Sequence, residues 1–379
     1  MKILMVAIPN HHFFQWVNQL QSSGHEVFWF DVTDGGSPSD KIAWVRQYKG
    51  WKLRWDFPFR SRVKKYFPKV YSWIQRFNER PVANAFEQVY KQIQPDVVHG
   101  FEMQLAGLPI LPVMQQNNTP FIYSSWGSDL FYFETLGVSK QAVTSFLKRC
   151  DYLITDCKRD YHAATQLGFT NKFLGVFPGN GGLTIPSNYI LPAAQRDVIL
   201  IKGYDDGVGK ASVVLEALAL LDPVLLEHKR VVVYSADRCL DTQIKASSRL
   251  SQLAIALHYR ENFMPNTRIL ELMGQSCLHI GNSLSDGMPN ALLEAMGMGA
   301  FPVQSNPGGV TAEVIIHGNN GLLIENPMDA FGIGKHIELA LKSPALRSTA
   351  QDYNVRFIAD NYQRHHLQNA VVQCYQFNV

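Results

Sequence analysis

CLHIGNSLSDGMPNALLEAMGMGAFPVQS (277–305) holds one whole repeat of the fold. CLHIGNS (277–283) is an apolar run with a polar end, the pattern of a buried parallel strand. A polar turn with glycine follows, and Pro289 suits the first turn of a helix. ALLEAMGMG (291–299) reads as that helix and FPVQS (301–305) as the next strand. Strand, crossover helix, strand is the unit from which parallel α/β sheets are wound.

The same alternation extends outward in both directions. Before this unit, DVILIKGY (197–204) and RVVVYSA (230–236) read as strands, with helices over 211–221, about 241–255 and 268–275. After it, GLLIEN (321–326) is the last strand and helices run to the end. The first half begins with KILMVAI (2–8), a helix over about 12–23 and HEVFWFD (25–31). It continues with a helix over about 81–94, then DVVHGF (96–101) and PFIYSSW (120–126). A helix near 139–149, DYLITD (151–156), a helix over 158–167 started by Asp156, and FLGVFPG (173–179) complete it. Residues 183–196, with Pro186 and Pro192, read as an interdomain linker. Two doubly wound α/β domains follow, facing a cleft, with ligands at the carboxyl ends of the strands.

A chain of 379 residues with 46% hydrophobic and 18% charged residues is ordinary globular protein, not disordered or collagen-like. A net charge of +3 makes no whole-chain case for nucleic acid. Five scattered cysteines without C-x-x-C argue against a disulfide framework or zinc ribbon and for thiols in a reducing, cytoplasmic compartment. MKILMVAIPNHH is too soon interrupted for a signal peptide, and no apolar window is long enough to span a bilayer. The charge is uneven. Residues 41–80 hold twelve Lys/Arg against Asp56 and Glu79, a net +10, which leaves −7 for the rest. Trp44, Trp51, Trp55 and Trp73 interleave with those cations. Such interleaving suits the cytoplasmic face of a membrane, where rings sit at headgroup depth and cations meet anionic lipid. Two other readings stand beside it: a helical excursion whose aromatics pack on the core, or another anionic partner.

The start of the 289–297 helix offers the free amides of Asn290, Ala291 and Leu292, an anion site. Asp286 precedes the helix and Glu294 lies about one turn inside it. Carboxylates are pure acceptors and suit sugar and ribose hydroxyls on either side of a diphosphate. On the residues alone, the plainer reading is that Asp286 caps the helix and Glu294 is solvated.

DGMPNALLEAMGMGAFPV (286–303), NPGGVTAEVI (306–315) and GNNGLLI (318–324) closely resemble the donor-site region of family-4 retaining glycosyltransferases of the GT-B fold, the glycosyl transferases group 1. The resemblance implies two Rossmann-like domains. Residues 1–185 would form the acceptor side, with the 41–80 excursion and a C-terminal helix of about 362–379 packing back on it. Residues 196–361 would bind a nucleotide sugar, a UDP or GDP sugar, as co-substrate, with no resident cofactor. Glu294 would hold the ribose. Asp286, where the family usually has Glu, would face the sugar with Gly287, Met288, Pro289, Asn290, Ala291 and Leu292. Lys210 takes the family's phosphate-binding Lys position. Tyr204 stands where an Arg is expected, and Lys202, on the same strand face, compensates. In the first half, Trp126 replaces the family's His in Trp126-Gly127-Ser128-Asp129, and Asn10, His11 and His12 replace a Gly-rich loop. Asn10, His11, His12 and Glu102 would serve the acceptor side, Trp126 and Gly127 would bind the donor, and His99, at its strand end, would join Asp286, Glu294 and Lys210 as catalytic residues.

The activity implied is a retaining, metal-independent, hexosyltransferase-like transfer to a glycan or lipid-linked acceptor in cell-surface polysaccharide or glycoconjugate assembly. No H-E-x-x-H or Asp-x-Asp occurs. Two alternatives are a non-catalytic nucleotide-sugar-binding partner protein and a sugar-nucleotide epimerase of the same fold. A nicotinamide dehydrogenase would need a G-x-G-x-x-G that AIPNHHFF lacks.

Overall fold

The structure is a computed structural model and describes residues 1–376. The chain divides into two compact units. Unit one comprises Met1–Asp156, Asp160–Gly181 and the C-terminal segment from Val371; unit two comprises Cys157–Arg159 and Gly182–Ala370. The terminal helix is Arg364–Gln373, and the end of the expected 362–379 element, 377–379, lies outside the described residues.

Unit one is a seven-stranded parallel sheet. Its strands are β1 (Lys2–Ala7), β2 (Glu26–Asp31), β3 (Arg46–Tyr48), β4 (Val97–Phe101), β5 (Phe121–Ser124), β6 (Tyr152–Thr155) and β7 (Lys172–Val176). They lie in the order β3-β2-β1-β4-β5-β6-β7. After Lys2 every residue of β1 is buried, as a strand covered on both faces requires. Asn10 starts the next helix, His11–Asn18, its side-chain oxygen accepting from the Phe13 amide at 2.8 Å. That helix ends at 18 rather than 23, in a run of turns closed by Gly24 at φ +75°. Strand β3 was not expected. It is a three-residue edge strand, too short for period-two alternation to register.

Unit two is a six-stranded parallel sheet of β8 (Val198–Lys202), β9 (Arg230–Ala236), β10 (Ile255–Tyr259), β11 (Ser276–Gly281), β12 (Phe301–Ser305) and β13 (Leu322–Ile324). Its order is β10-β9-β8-β11-β12-β13. Renumbered within the unit this is 3-2-1-4-5-6, the dinucleotide-fold order. The helix expected over 241–255 stops at Ala246, and Ile255–Tyr259 is an edge strand instead. Its alternation of half-buried and exposed residues is the period-two signal that Leu250 and Leu253 mask in a helical reading. Residues 183–196 are not a loose tether. The Leu191 amide bonds Gly274 O at 3.1 Å. Buried Arg196 donates to the carbonyls of Leu191, Met273, Ser276 and Met298.

The basic segment splits in two. Trp51 is buried, stacked on Phe30 at 5.0 Å between centroids, and half-buried Trp44 donates to Asn18. Helices Arg60–Tyr66 and Pro68–Asn78 behave otherwise. Between them they bury only Asn78, whose amide closes on Trp55 in both directions. Phe59, Tyr66, Phe67, Trp73 and Phe77 are all more than half exposed, among exposed Arg62, Lys64, Lys65, Lys69 and Arg76. No helix among the described residues is long and apolar enough to cross a membrane.

Candidate functional site

In a doubly wound sheet the crevice for ligand opens where the strand order reverses. In unit two that is between β8 and β11, and both strands run into polar loops there. A cavity of about 160 Å³ lies against these loops, walled by Lys202, Tyr204 and Gly209 from one side and Asn282, Ser283 and Asp286 from the other. Gly209 is required: a Cβ there would stand 2.4 Å from the Tyr204 carbonyl oxygen.

The charges converge. Lys202 Nζ is 3.7 Å from Asp286 Oδ2 and sits 4.9 Å from the centre of the Tyr204 ring. Arg260, just past β10, places its guanidinium 4.3 Å from the same ring and pairs with Asp206 at 3.2 Å. So Tyr204, which carries no charge itself at neutral pH, gathers two cations by cation–π attraction. Nothing in the spacing of the sequence pointed to Arg260, since it comes from the end of edge strand β10, two strands away from β8. Arg159 donates to the Asp286 carbonyl at 2.8 Å and the Pro307 carbonyl at 2.7 Å, holding the turn that carries Asp286.

Lys210 stands at the N-cap of the helix Ala211–Ala219. Among the described residues its ammonium has no ionic or hydrogen-bonding partner. The helix Asn290–Gly297 begins after Pro289, as expected, with one correction. The Leu292 amide is not free, because it closes a turn on the Pro289 carbonyl at 3.0 Å. The side chains of Met288 and Leu292 also point into the core with Leu293 and Met296, so neither offers a side-chain contact to ligand. Gly287 and Pro289 are buried, and Ala291 packs against a second apolar cluster. Asn290 is half-buried at the helix start. Glu294 is not a solvated helix residue. It accepts from Asn266 Nδ2 at 3.2 Å, and burial pushes its carboxyl up to about 7.

The corresponding reversal in unit one, between β1 and β4, is filled differently. Asn10 is occupied as a helix cap. His11 is exposed, and His12 meets Trp126 edge-on at 6.1 Å, with Trp126 leaning on Phe101 at 5.9 Å. Gly127 is buried at φ +84°. Glu102 sits at φ +70° with its carboxylate accepting from the Gln104 and Leu105 amides. Burial first, and then the Asp129 charge, push Glu102 up to about 7. His99 requires a correction: it is fully buried. Its Nδ1 bonds Tyr375 OH at 2.7 Å, its Nε2 bonds Ser124 Oγ at 2.8 Å, and Phe101 stacks on its ring. Both nitrogens are taken and no face is open, so His99 is a packed core histidine. Asp129 is also internal. It accepts from the Met103 amide at 2.9 Å, Tyr123 OH at 2.6 Å and the Trp126 amide at 3.1 Å. It thus ties the loop after β4 to the loop after β5.

Two family models match the sequence. Residues 194–357 match glycosyl transferases group 1, and residues 2–157 match glycosyl transferase 4-like. No curated protein sequence matches the chain. Among solved structures, sucrose-phosphate synthase from Thermosynechococcus elongatus has a TM-score of 0.72 at 15% identity, covering 99% of this chain and 98% of that one. HepE of Anabaena, solved with UDP-glucose, has a TM-score of 0.69 at 14% identity over 99% of both chains. WaaG, a glycosyltransferase involved in lipopolysaccharide biosynthesis, has 0.64 at 16% over 99% of both. These likenesses show a shared fold, the paired Rossmann-like domains of GT-B glycosyltransferases.

Proposed function

Because the chain belongs to the group 1 glycosyltransferases, with a first half of the 4-like type, we propose that it is a retaining enzyme that moves a hexose from a nucleoside-diphosphate sugar to a glycan or lipid-linked acceptor. The observation that carries this reading is the cavity at the β8–β11 reversal, where Lys202 faces Asp286 and the unpaired ammonium of Lys210 stands on the loop that bounds it. Breaking a sugar–phosphate bond leaves negative charge on the departing diphosphate. Lys210, Lys202 and the first amides of the Asn290–Gly297 helix are the groups here that can meet it. Asp286 accepts from the sugar's hydroxyls and Glu294 from the ribose. The departing phosphate takes the acceptor's proton on the same face, so configuration is retained and chelators leave the rate unchanged. Domain 1–185 handles the acceptor through Asn10, His11, His12 and Glu102, with Trp126 and Gly127 as donor-binding residues, and domain 196–361 handles the donor.

The acceptor reading rests on the exposed aromatics and cations of 59–77, which suit the anionic face of a membrane. A lipid-linked acceptor at the cytoplasmic membrane surface, in polysaccharide or glycoconjugate assembly, fits that face. UDP sugars are the first donors to test, since HepE was solved with UDP-glucose, and GDP sugars the next. The test is a donor screen with product analysis by NMR. Transfer with retained anomeric configuration is the expected result; turnover of no UDP, GDP or ADP sugar would overturn the reading.

A further inference from the structure

The loop 204–210 is stitched to the loop after β11 by three hydrogen bonds, two of which join Lys210 to Asn282. The Lys210 amide donates to the Asn282 carbonyl at 2.9 Å, and Asn282 Nδ2 returns a bond to the Lys210 carbonyl at 3.2 Å. The Leu284 amide donates to the Val208 carbonyl at 2.9 Å, and Gly209 pairs antiparallel with Ser283. Asn282 Nδ2 also donates to the Pro327 carbonyl at 2.8 Å. So both backbone groups of Lys210 are held by Asn282, while its ammonium is unpaired among the described residues.

The amide's orientation is fixed by this pattern, since only a nitrogen can donate to two carbonyls. Its oxygen is then left buried with no donor, on a residue only 5% exposed. Buried acceptors without partners are rare and need an explanation beyond packing. An apolar residue would fill the space without that penalty and keep the main-chain bond from the Lys210 amide, but it would leave the Lys210 and Pro327 carbonyls without their side-chain donor.

We infer that Asn282 is a positioning residue that fixes Lys210, and through it the cation offered to the donor's diphosphate. This rests on the donor-site reading above and assigns a residue within it. The Asn reaches no phosphate itself; it acts through the Lys210 backbone.

The experiment is a double-mutant cycle read by calorimetry with two probes, UDP and uridine, and with GDP and guanosine in parallel. The quantity is the ratio of nucleoside-diphosphate to nucleoside affinity. Lys210→Ala and Asn282→Ala should each lower that ratio roughly tenfold, and the double variant should lower it no more than about twofold beyond the worse single, because the two act as one unit. Asn282→Ser, which keeps one donor, should recover part of the loss. It also carries the cycle if Asn282→Ala melts too low to titrate. Multiplying losses, or equal loss of nucleoside and diphosphate binding in Asn282→Ala, would overturn the positioning role alone. Failure of the unaltered protein to bind either diphosphate would overturn the donor-site reading and this inference with it.

Discussion

The two units wind their sheets alike and fill the reversal point differently. Between β8 and β11 stand a cavity, a lysine facing an aspartate, and a second lysine whose ammonium has no partner among the described residues. Between β1 and β4 the polar groups have found one another: His99 with Tyr375 and Ser124, Asp129 with Tyr123 and two amides, Glu102 with two more. Topology provides a place for ligand in both, but unmet hydrogen-bonding and charge are left open mainly in the second. At the rim of the first reversal stand the Trp126 ring, His12 against it and the exposed His11 imidazole.

The sharpest way to break this contrast is Lys210→Ala. Its turnover with a nucleotide sugar should fall at least about 100-fold, the scale of removing one preorganised charge from a leaving group. Turnover near that of the unaltered enzyme would erase the distinction between the two reversals. His99→Ala probes the other side. It opens a cavity and strands Tyr375 and Ser124, so thermal or urea unfolding should show a loss of about 2–4 kcal/mol, with UDP affinity unchanged. A well-folded His99→Ala that has lost transfer would return His99 to the chemistry.

The 59–77 face sharpens the comparison within unit one. Replacing any one of Arg62, Lys64, Lys65 or Lys69 with Ser should weaken binding to anionic vesicles about fivefold, from roughly 1 kcal/mol per cation at a charged surface. Flotation that does not depend on anionic lipid would remove the membrane reading. The smallest effect is a slope. Glu102 and Glu294 are both raised from 4.5 to about 7, chiefly by burial. A carboxyl raised on folding binds its proton more readily folded than unfolded, so its share of stability is full below about 4.5 and is lost as pH rises toward about 7. Melting temperatures followed from pH 4.5 to 7.5 should therefore fall less steeply in Glu102→Gln and Glu294→Gln; parallel curves would count against it.

Much was legible before any coordinates. Apolar runs such as 198–201 and 231–233 and the helices between them require parallel strands with helical crossovers, because a strand buried on both faces has no solvent side to alternate with. Asp286, Lys202, Tyr204 and Lys210 were named through the resemblance of their segments to the family's donor site. The local signal ran out at 46–48 and 255–259, edge strands too short or too amphipathic to separate from turn and helix. It ran out again at 183–196, where Arg196 recruits carbonyls from up to 102 residues away.

The chain's own order of residues thus determined the two sheets, the polar turn before Asn290 and the concentration of charge in 41–80. Only tertiary structure decided which side chains were available. His99 is closed by Tyr375, 276 residues away; Arg260 reaches Tyr204 from two strands over; Asn282 binds Lys210 across 72 residues. Hydrogen bonding and burial act between groups that folding brings close, and periodicity along the chain carries no record of those distances.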